Sequence, residues 1–329
     1  MLASGAENTI IREIMEKVVV TGGAGFIGSH LAEELASQDY HVIILDDLST
    51  GRQENIDRLL SHNNVEFIRG SITDLMFLRQ VFQDVSYVFH LAALSRVQRS
   101  IADPLTTNDI NVKGTLNVML AAKENGVKRV IYSSSSAIYG ESSVLPQSET
   151  LPPNPVSPYA LTKLVGEFYC SIFNQIYNLS TISLRYFNVF GSGQDPLSPY
   201  ANVIPLFIDR ITQELPPIIF GDGEQSRDFV YVDDVVRANI LAINKGVDGV
   251  YNIGSGISTT INELAKAILT NVQKELKPIY EKPRSGDPRH TLADISKASQ
   301  LGYKPGYNLE EGLKASIPIY LSETNRNRN

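Results

Sequence analysis

Tyr159 and Lys163 stand four residues apart at the head of YALTKLVGEFYCSIF, a stretch that follows LPPNPVSP and carries apolar residues at helical spacing. A proline at the helix start and an i, i+4 separation put both side chains on one face. A Lys ammonium beside a phenol favours the phenolate and is expected to lower the phenol pKa toward working pH. A phenol so tuned can act as general base toward a hydroxyl and as general acid on the return. Alone, such a pair is ordinarily packing plus a solvated charge. Its chemical reading comes from where it lies, after a glycine-rich loop and a serine-rich strand end.

That loop is Thr21-Gly22-Gly23-Ala24-Gly25-Phe26-Ile27-Gly28, between the apolar run VVV and the helical pattern SHLAEELA. It satisfies G-x-G-x-x-G as well as G-x-x-G-x-x-G. Glycines there allow a tight turn and bring backbone N–H groups, with the helix N-terminus behind them, against a pyrophosphate. The strand before and the helix after are the context that the motif requires. Asp46 ends the next apolar run. A carboxylate at that place accepts hydrogen bonds from both ribose hydroxyls and repels a 2′-phosphate, which favours NAD over NADP. A positive nicotinamide ring near Tyr159 would further favour the phenolate.

Stepping from strand to strand, KVVVTG, HVIILDD, VEFIRG, YVFHLAA, RVIYSSS and STISLRYFNV alternate with helical segments such as SHLAEELASQ and LMFLRQVFQ. This order predicts an α/β fold, a Rossmann-like doubly wound parallel sheet with helices on both faces. Strands buried on both faces explain runs that are almost wholly apolar. Beyond about residue 190 the rhythm gives way to Gly-, Pro- and charge-rich segments, with DGVYNIGSG as one more strand and INELAKAILTNVQKEL as an amphipathic helix. The expected division is a dinucleotide domain over 15–190 whose chain returns at about 229–255, and a smaller C-terminal substrate-binding domain over 191–228 and 256–329. Residues 1–14 are expected to be an N-terminal extension, or alternatively a short helix using Ile10, Ile11 and Ile14.

The chain of 329 residues is 43% hydrophobic and 20% charged, with a net charge of −7. So acidic a chain lacks the footprint of a nucleic-acid or anionic-membrane binder. No run of about 18 apolar residues offers a membrane-spanning helix. The single cysteine, Cys170, fits a reducing compartment and a cytoplasmic location, and helical spacing puts it in the core. Five scattered histidines show no paired ligand spacing, so no metal is expected.

TGGAGFIGSHL, YSSSSAIYG and Y-x-x-x-K together resemble the extended short-chain dehydrogenase/reductase superfamily, and more narrowly its UDP-sugar 4-epimerases. HLAA, RYFNVFG, GDGEQSRDFVYVDDV and RSGDPRH extend the resemblance over about residues 17–320. The resemblance implies that Gly22, Gly25, Phe26, Ile27 and Gly28 meet the pyrophosphate of NAD. Asp46 would hold the adenosine ribose, with Asp47, Ser49, Thr50 and Gly51 closing around it. Ser71, where the family has an acid, and Ile72 would lie at the adenine, and Leu91, Ala92 and Ala93 beside the nicotinamide half. Tyr186 and Phe187 would complete the cofactor site. Ser135, third of four consecutive serines, would hydrogen-bond the reacting hydroxyl; Tyr159 would be the base, and Lys163 would tune it and bind the nicotinamide ribose.

For the nucleotide sugar, the resemblance places Asn188, Arg227 and Arg284 at the diphosphate, Asp287 at the uridine ribose, Phe220 on the uracil and Val203 over the nucleotide. Guanidinium groups suit such bidentate phosphate contacts. Thr291 occupies the wall position where a tyrosine restricts relatives to UDP-glucose and UDP-galactose. With RHTLADISKA this points to UDP-N-acetylglucosamine and UDP-N-acetylgalactosamine, with the plain hexoses also open, while Ser95-Arg96 departs from the Gly-Ser of that branch. A UDP-glucose 4-epimerase alone is the alternative. Ser136-Ala137-Ile138 offers no carboxylate where 4,6-dehydratases and decarboxylases carry one. A non-catalytic NAD-sensing module is a different reading that the intact Tyr159 and Lys163 oppose. The superfamily's helix pairing implies a homodimer with a four-helix interface.

Overall fold

Val18, Val19 and Val20 all lie in the core, on alternate faces of one strand, because that strand has helices on both sides. A computed structural model describes residues 15–194, 202–244, 248–283 and 288–326; the first fourteen residues lie outside it. Seven parallel strands form its main sheet: β1 (Lys17–Thr21), β2 (His41–Asp46), β3 (Val65–Arg69), β4 (Tyr87–His90), β5 (Arg129–Ser135), β6 (Ser180–Tyr186) and β10 (Gly249–Ile253). Their order is β10-β6-β5-β4-β1-β2-β3. The chain thus runs outward from β1 in one direction, returns, and runs outward in the other. The reversal between β1 and β4 is a topological switch point, and ligands bind in the crevice at the carboxyl ends of strands there.

Helices α1 (Phe26–Ser37) and α8 (Val232–Asn244) cover one face, where Leu31, Leu35, Val235 and Val236 join Val18, Val20 and Ile44. On the other face, α2 (Leu75–Val81), α5 (Thr115–Glu124) and α6 (Pro158–Tyr177) bury Leu78, Val118, Met119, Cys170 and Phe173 against Val19, Ile43 and Val88. Cys170 is a core residue, its thiol pushed up to about 12 by burial. Two short helices, α3 (Val97–Ala102) and α4 (Pro104–Asn108), lead into α5 through a π-helical turn at Asp109–Gly114. Such turns interrupt helices mostly at functional positions.

The rest of the described chain forms a second lobe. Strands β7 (Asn188–Phe190), β9 (Ser226–Tyr231) and β11 (Ser258–Thr260) make a three-stranded sheet, and β8 (Ile218–Phe220) pairs with β12 (Ile279–Glu281). Phe207, Ile211, Leu264, Ile268, Leu313 and Tyr320 form its core, on α7 (Val203–Thr212), α9 (Ile261–Val272) and α11 (Leu309–Arg326). The short α10 (Ser296–Gln300) packs beside β10. A reciprocal Thr260–Glu263 capping box starts α9. The helix ends sooner than its apolar pattern suggests: Gln273 takes a left-handed conformation and its N–H bonds back to Leu269 and Thr270.

Candidate active site

The strand register brings Thr21, Asp46, His90, Ser135 and Tyr186 to one edge of the sheet. A cleft of about 530 Å³ opens there, between the sheet and the second lobe. The glycine loop forms its floor. Gly22 has φ +70°, and a Cβ on it would lie 2.7 Å from the Ala92 nitrogen, so only glycine lets the loops after β1 and β4 meet. A Cβ on Gly28 would lie 2.2 Å from the Gly22 oxygen. Gly25 stands at the N-cap of α1 with no side chain to satisfy the first-turn N–H groups. This cradle of free donors at a helix N-terminus fits a pyrophosphate.

Asp46 is buried at the end of β2, where its carboxylate accepts hydrogen bonds from Ala24 N (3.0 Å) and Leu48 N (2.8 Å). Burial raises its pKa against those two bonds. Gly51 abuts it closely: a Cβ there would come within 2.7 Å of both carboxylate oxygens. Asp47, Ser49, Thr50, Ile72, Leu91, Ala92 and Ala93 line the cleft, whereas Gly51 stands behind Asp46 outside that lining. Ser71 is also off the wall; its hydroxyl pairs with Thr73 Oγ1 at 3.0 Å. A loop cradle, an acid at the ribose position and an apolar wall together fit NAD.

Tyr159 and Lys163 occupy the first turns of α6, which Ser157 caps by accepting from Ala160 N (3.2 Å) and Pro158 starts. Three of the four serines end β5, and the fourth, Ser136, begins a short 3₁₀ turn. Ser134 donates to Glu167 Oε1 (2.5 Å), Ser135 Oγ accepts from Ala137 N (3.1 Å), and the Ser133 and Ser135 hydroxyls lie near the Tyr186 and Tyr159 phenols. Lys163 Nζ donates to Ser133 O at 2.6 Å and stands 6.0 Å from the centre of the Tyr159 ring. Desolvation raises the Tyr159 pKa, opposed by the Ser135 hydrogen bond and the charge of Arg96. Contrary to the sequence expectation, Lys163 does not pull the phenol below its ordinary value. Its ammonium is spent on a carbonyl, and burial lowers its own pKa to about 8.

Tyr186, Phe187, Asn188, Arg227 and Thr291 also line the cleft. Tyr186 hydrogen-bonds Asn239, and Phe187 packs 6.3 Å from Tyr139. Arg227, buried on β9, donates to Ser226 O (2.8 Å) and Arg289 O (3.3 Å). Thr291 is buried, and among the described residues its Oγ1 has no hydrogen-bond partner, an orphan polar atom on the wall of the cleft. Val203 and Phe220 are not part of the lining: Val203 starts α7 against the second core, and Phe220 is held in the β8–β12 pair. Arg284 and Asp287 lie outside the described residues.

Three groups in and around the cleft were not foreseen. Asn111, in the π-helical turn, accepts from Leu94 N (2.8 Å) and donates to Leu94 O (3.1 Å) and Thr162 Oγ1 (3.0 Å). It thereby ties the loop after β4 to α6. Asn55 donates to Ala24 O (2.8 Å) and fastens residues 52–55 to the glycine loop. Arg96 hydrogen-bonds Asn202 of the facing lobe (2.7 Å). A polar residue inside an apolar helical pattern, as at Asn111, was the one available signal.

A parallel sheet with a glycine-loop cradle, an acid at the ribose position and a Ser–Tyr–Lys set at its carboxyl edge defines an NAD-dependent enzyme of the short-chain dehydrogenase/reductase type. A profile of the NAD dependent epimerase/dehydratase family matches residues 18–254, and the chain belongs to that family. It is 43% identical over 302 residues to a putative UDP-glucose 4-epimerase of Methanocaldococcus jannaschii, covering 91% of this chain and 97% of that one. The UDP-N-acetylglucosamine 4-epimerase of Methanobrevibacter ruminantium, solved with UDP-N-acetylmuramic acid, superposes with a TM-score of 0.91 at 43% identity. The match covers 94% of this chain and 99% of the other. The Thermus thermophilus UDP-glucose 4-epimerase, solved with NAD, gives 0.86 at 35% identity, covering 93% and 99%.

Proposed function

We propose that this protein is an NAD-dependent 4-epimerase of UDP-hexoses, acting on UDP-N-acetylglucosamine and UDP-N-acetylgalactosamine and also on UDP-glucose and UDP-galactose. The observation that carries the reading is the Ser135 hydroxyl beside the Tyr159 phenol, with Lys163 one turn on, in a cleft whose wall also bears the buried Thr291. Ser135 orients the C4 hydroxyl of the sugar and Tyr159 takes its proton. Bound NAD supplies the hydride acceptor and donor, and its positive ring lowers the phenol pKa where burial alone raises it. Inversion at C4 requires the sugar to present its other face, after which Tyr159 returns the proton. Asn188, Arg227, Arg284 and Asp287 grip UDP so that the sugar can turn. In this reading residues 15–190, with the return at 229–255, hold NAD, and 191–228 with 256–329 hold the nucleotide sugar.

Incubation with each UDP-sugar, read as epimer ratio by proton NMR, tests this. Turnover of all four sugars is expected; turnover of UDP-glucose and UDP-galactose alone would remove the acetamido claim. Thr291→Tyr is expected to cut kcat/KM for the N-acetylated sugars about 10- to 200-fold while sparing the plain hexoses. The substituted ring would occupy the space that the acetamido group needs.

A homodimer belongs to the same proposal. Leu161, Phe168, Ile172 and Ile176 form an exposed apolar stripe on α6, beside Ile101 on α3 and Leu105 on α4, the last 83% exposed. A contiguous apolar patch of this kind marks an interface. Light scattering on the native protein is expected to give twice the chain mass, and Leu161→Asp with Phe168→Asp to give a monomer. No helix of the described residues is long and apolar enough to cross a membrane.

A further inference from the structure

One helical turn beyond Lys163, the side chain of Glu167 is buried where a carboxylate must be fully partnered to be tolerated. Its partners are complete. Oε1 accepts from Ser134 Oγ (2.5 Å) and Arg185 Nε (2.9 Å), and Oε2 accepts from Arg185 Nη2 (2.7 Å). Arg185 Nη1 donates onward to the Tyr139 hydroxyl (2.8 Å), which donates to Asn252 Oδ1 (2.7 Å). Asn252 Nδ2 then reaches the Gln147 and Asp294 carbonyls (2.8 and 3.2 Å), and Gln147 N bonds Leu292 O (2.7 Å), next to Thr291. One chain of hydrogen bonds therefore joins α6, the ends of β5, β6 and β10, and the segment that carries the wall of the sugar pocket.

We propose that Glu167 is a positioning residue for the epimerisation, holding the serine end of β5 in register with α6 and, one helical turn from Lys163, favouring its ammonium form. The bond to Ser134 fixes the residue adjoining Ser135, and so the placement of the Ser135 hydroxyl beside the Tyr159 phenol. The charges around Lys163 support the second part. From β4, His90 is held neutral by burial at about 3; from β5, Tyr132 is pushed well above its usual value. On α6 itself Tyr159 is raised and Cys170 stands at about 12. At neutral pH all four are uncharged, and Arg185, from β6, is held against Glu167 by two hydrogen bonds. Burial brings the Lys163 pKa down to about 8, opposed by Cys170 and by Glu167.

This inference rests on the epimerase reading, so the wild-type protein is assayed first; absence of turnover there counts against that reading alone. The test is the pH dependence of kcat and KM for Glu167→Gln, with NAD affinity titrated calorimetrically over the same range. Lys163 is active when protonated, so activity falls as pH rises through its pKa. Removal of the Glu167 charge lowers that pKa, and the alkaline limb of kcat is expected to move to lower pH by about one unit. That corresponds to an extra loss of about tenfold at pH 9. KM stays unchanged, and NAD affinity weakens from the same lower pH. An alkaline limb at the wild-type position, with any loss of rate matched by loss of folded protein, would show an ion pair that serves stability alone. If Glu167→Gln does not fold, Ser134→Ala decides, because it deletes a hydrogen bond without stranding a buried charge. A several-fold fall in kcat at constant KM supports the positioning role, and an unchanged kcat overturns it.

Discussion

Tyr159→Phe is expected to lower kcat about 100- to 10,000-fold, the range that a positioned general acid–base group supplies. The substitution removes one oxygen from a residue that is 9% exposed and leaves the ring in place. Its phenol is costly to bury, as the upward pressure on its pKa records, and the Ser135 hydroxyl beside it already accepts from Ala137 N. Thermal stability is therefore expected to change little, and NAD affinity to persist because Lys163 and the glycine loop are untouched. Proton NMR of a UDP-hexose with the variant checks the rate; calorimetry and a thermal melt check the rest. A variant that epimerises at more than a tenth of the native rate would move the proton transfer to another group. None of the other described cleft residues is as well placed: Ser135 has no base beside it except Tyr159, and the carboxylates of Asp46 and Asp47 lie at the opposite, ribose end.

The contrast between what the sequence announces and what it conceals follows from the range of the interactions involved. The glycine loop, Asp46 and the Tyr159–Lys163 pair were legible because strand, turn and helix each impose their own period, and these residues act through local geometry. The choice of Ser135 among four serines came from the family resemblance, since alternation along β5 puts Ser133 on the same face. Where the environment decides, the sequence was silent or misleading. Lys163 was expected to bring the phenol down, but a fully buried site penalises the phenolate, and Ser133 O takes the ammonium. Ser71 follows β3 at the expected place, yet turns to Thr73, two residues on, which is the habit of serine after a strand. Phe220 ends β8, which pairs with β12, a long-range pairing that no local pattern announces. Asn111, Asn55 and the Glu167–Arg185 pair find their partners from 17 to 51 residues away, and no local pattern specifies such a partner.

The second large effect is expected at Gly28, through the backbone rather than through any reacting group. A methyl group on Gly28 would lie 2.2 Å from the Gly22 oxygen and 2.8 Å from the Gly23 Cα, both main-chain atoms. Neither can yield cheaply. Gly22 N is bonded to Leu45 O (2.8 Å), and its Cα is already packed against the Ala92 backbone. Nor can α1 withdraw, since Leu31 and Leu35 on it are fully buried against the sheet. Gly28→Ala must therefore open the loop that presents the first-turn N–H groups of α1. Overpacking of this kind costs about 1–3 kcal/mol of stability. The larger loss is to the cofactor: donors displaced from a shared focus no longer converge on a pyrophosphate. NAD affinity is expected to fall at least 100-fold, about 2.8 kcal/mol. Calorimetric titration with NAD measures it, and Gly25→Ala is the control, because its Cβ meets only the Gly22 oxygen, at 3.1 Å. Equal losses in the two variants would mean that loop flexibility, and not the close approach of α1 to β1, sets the cofactor site.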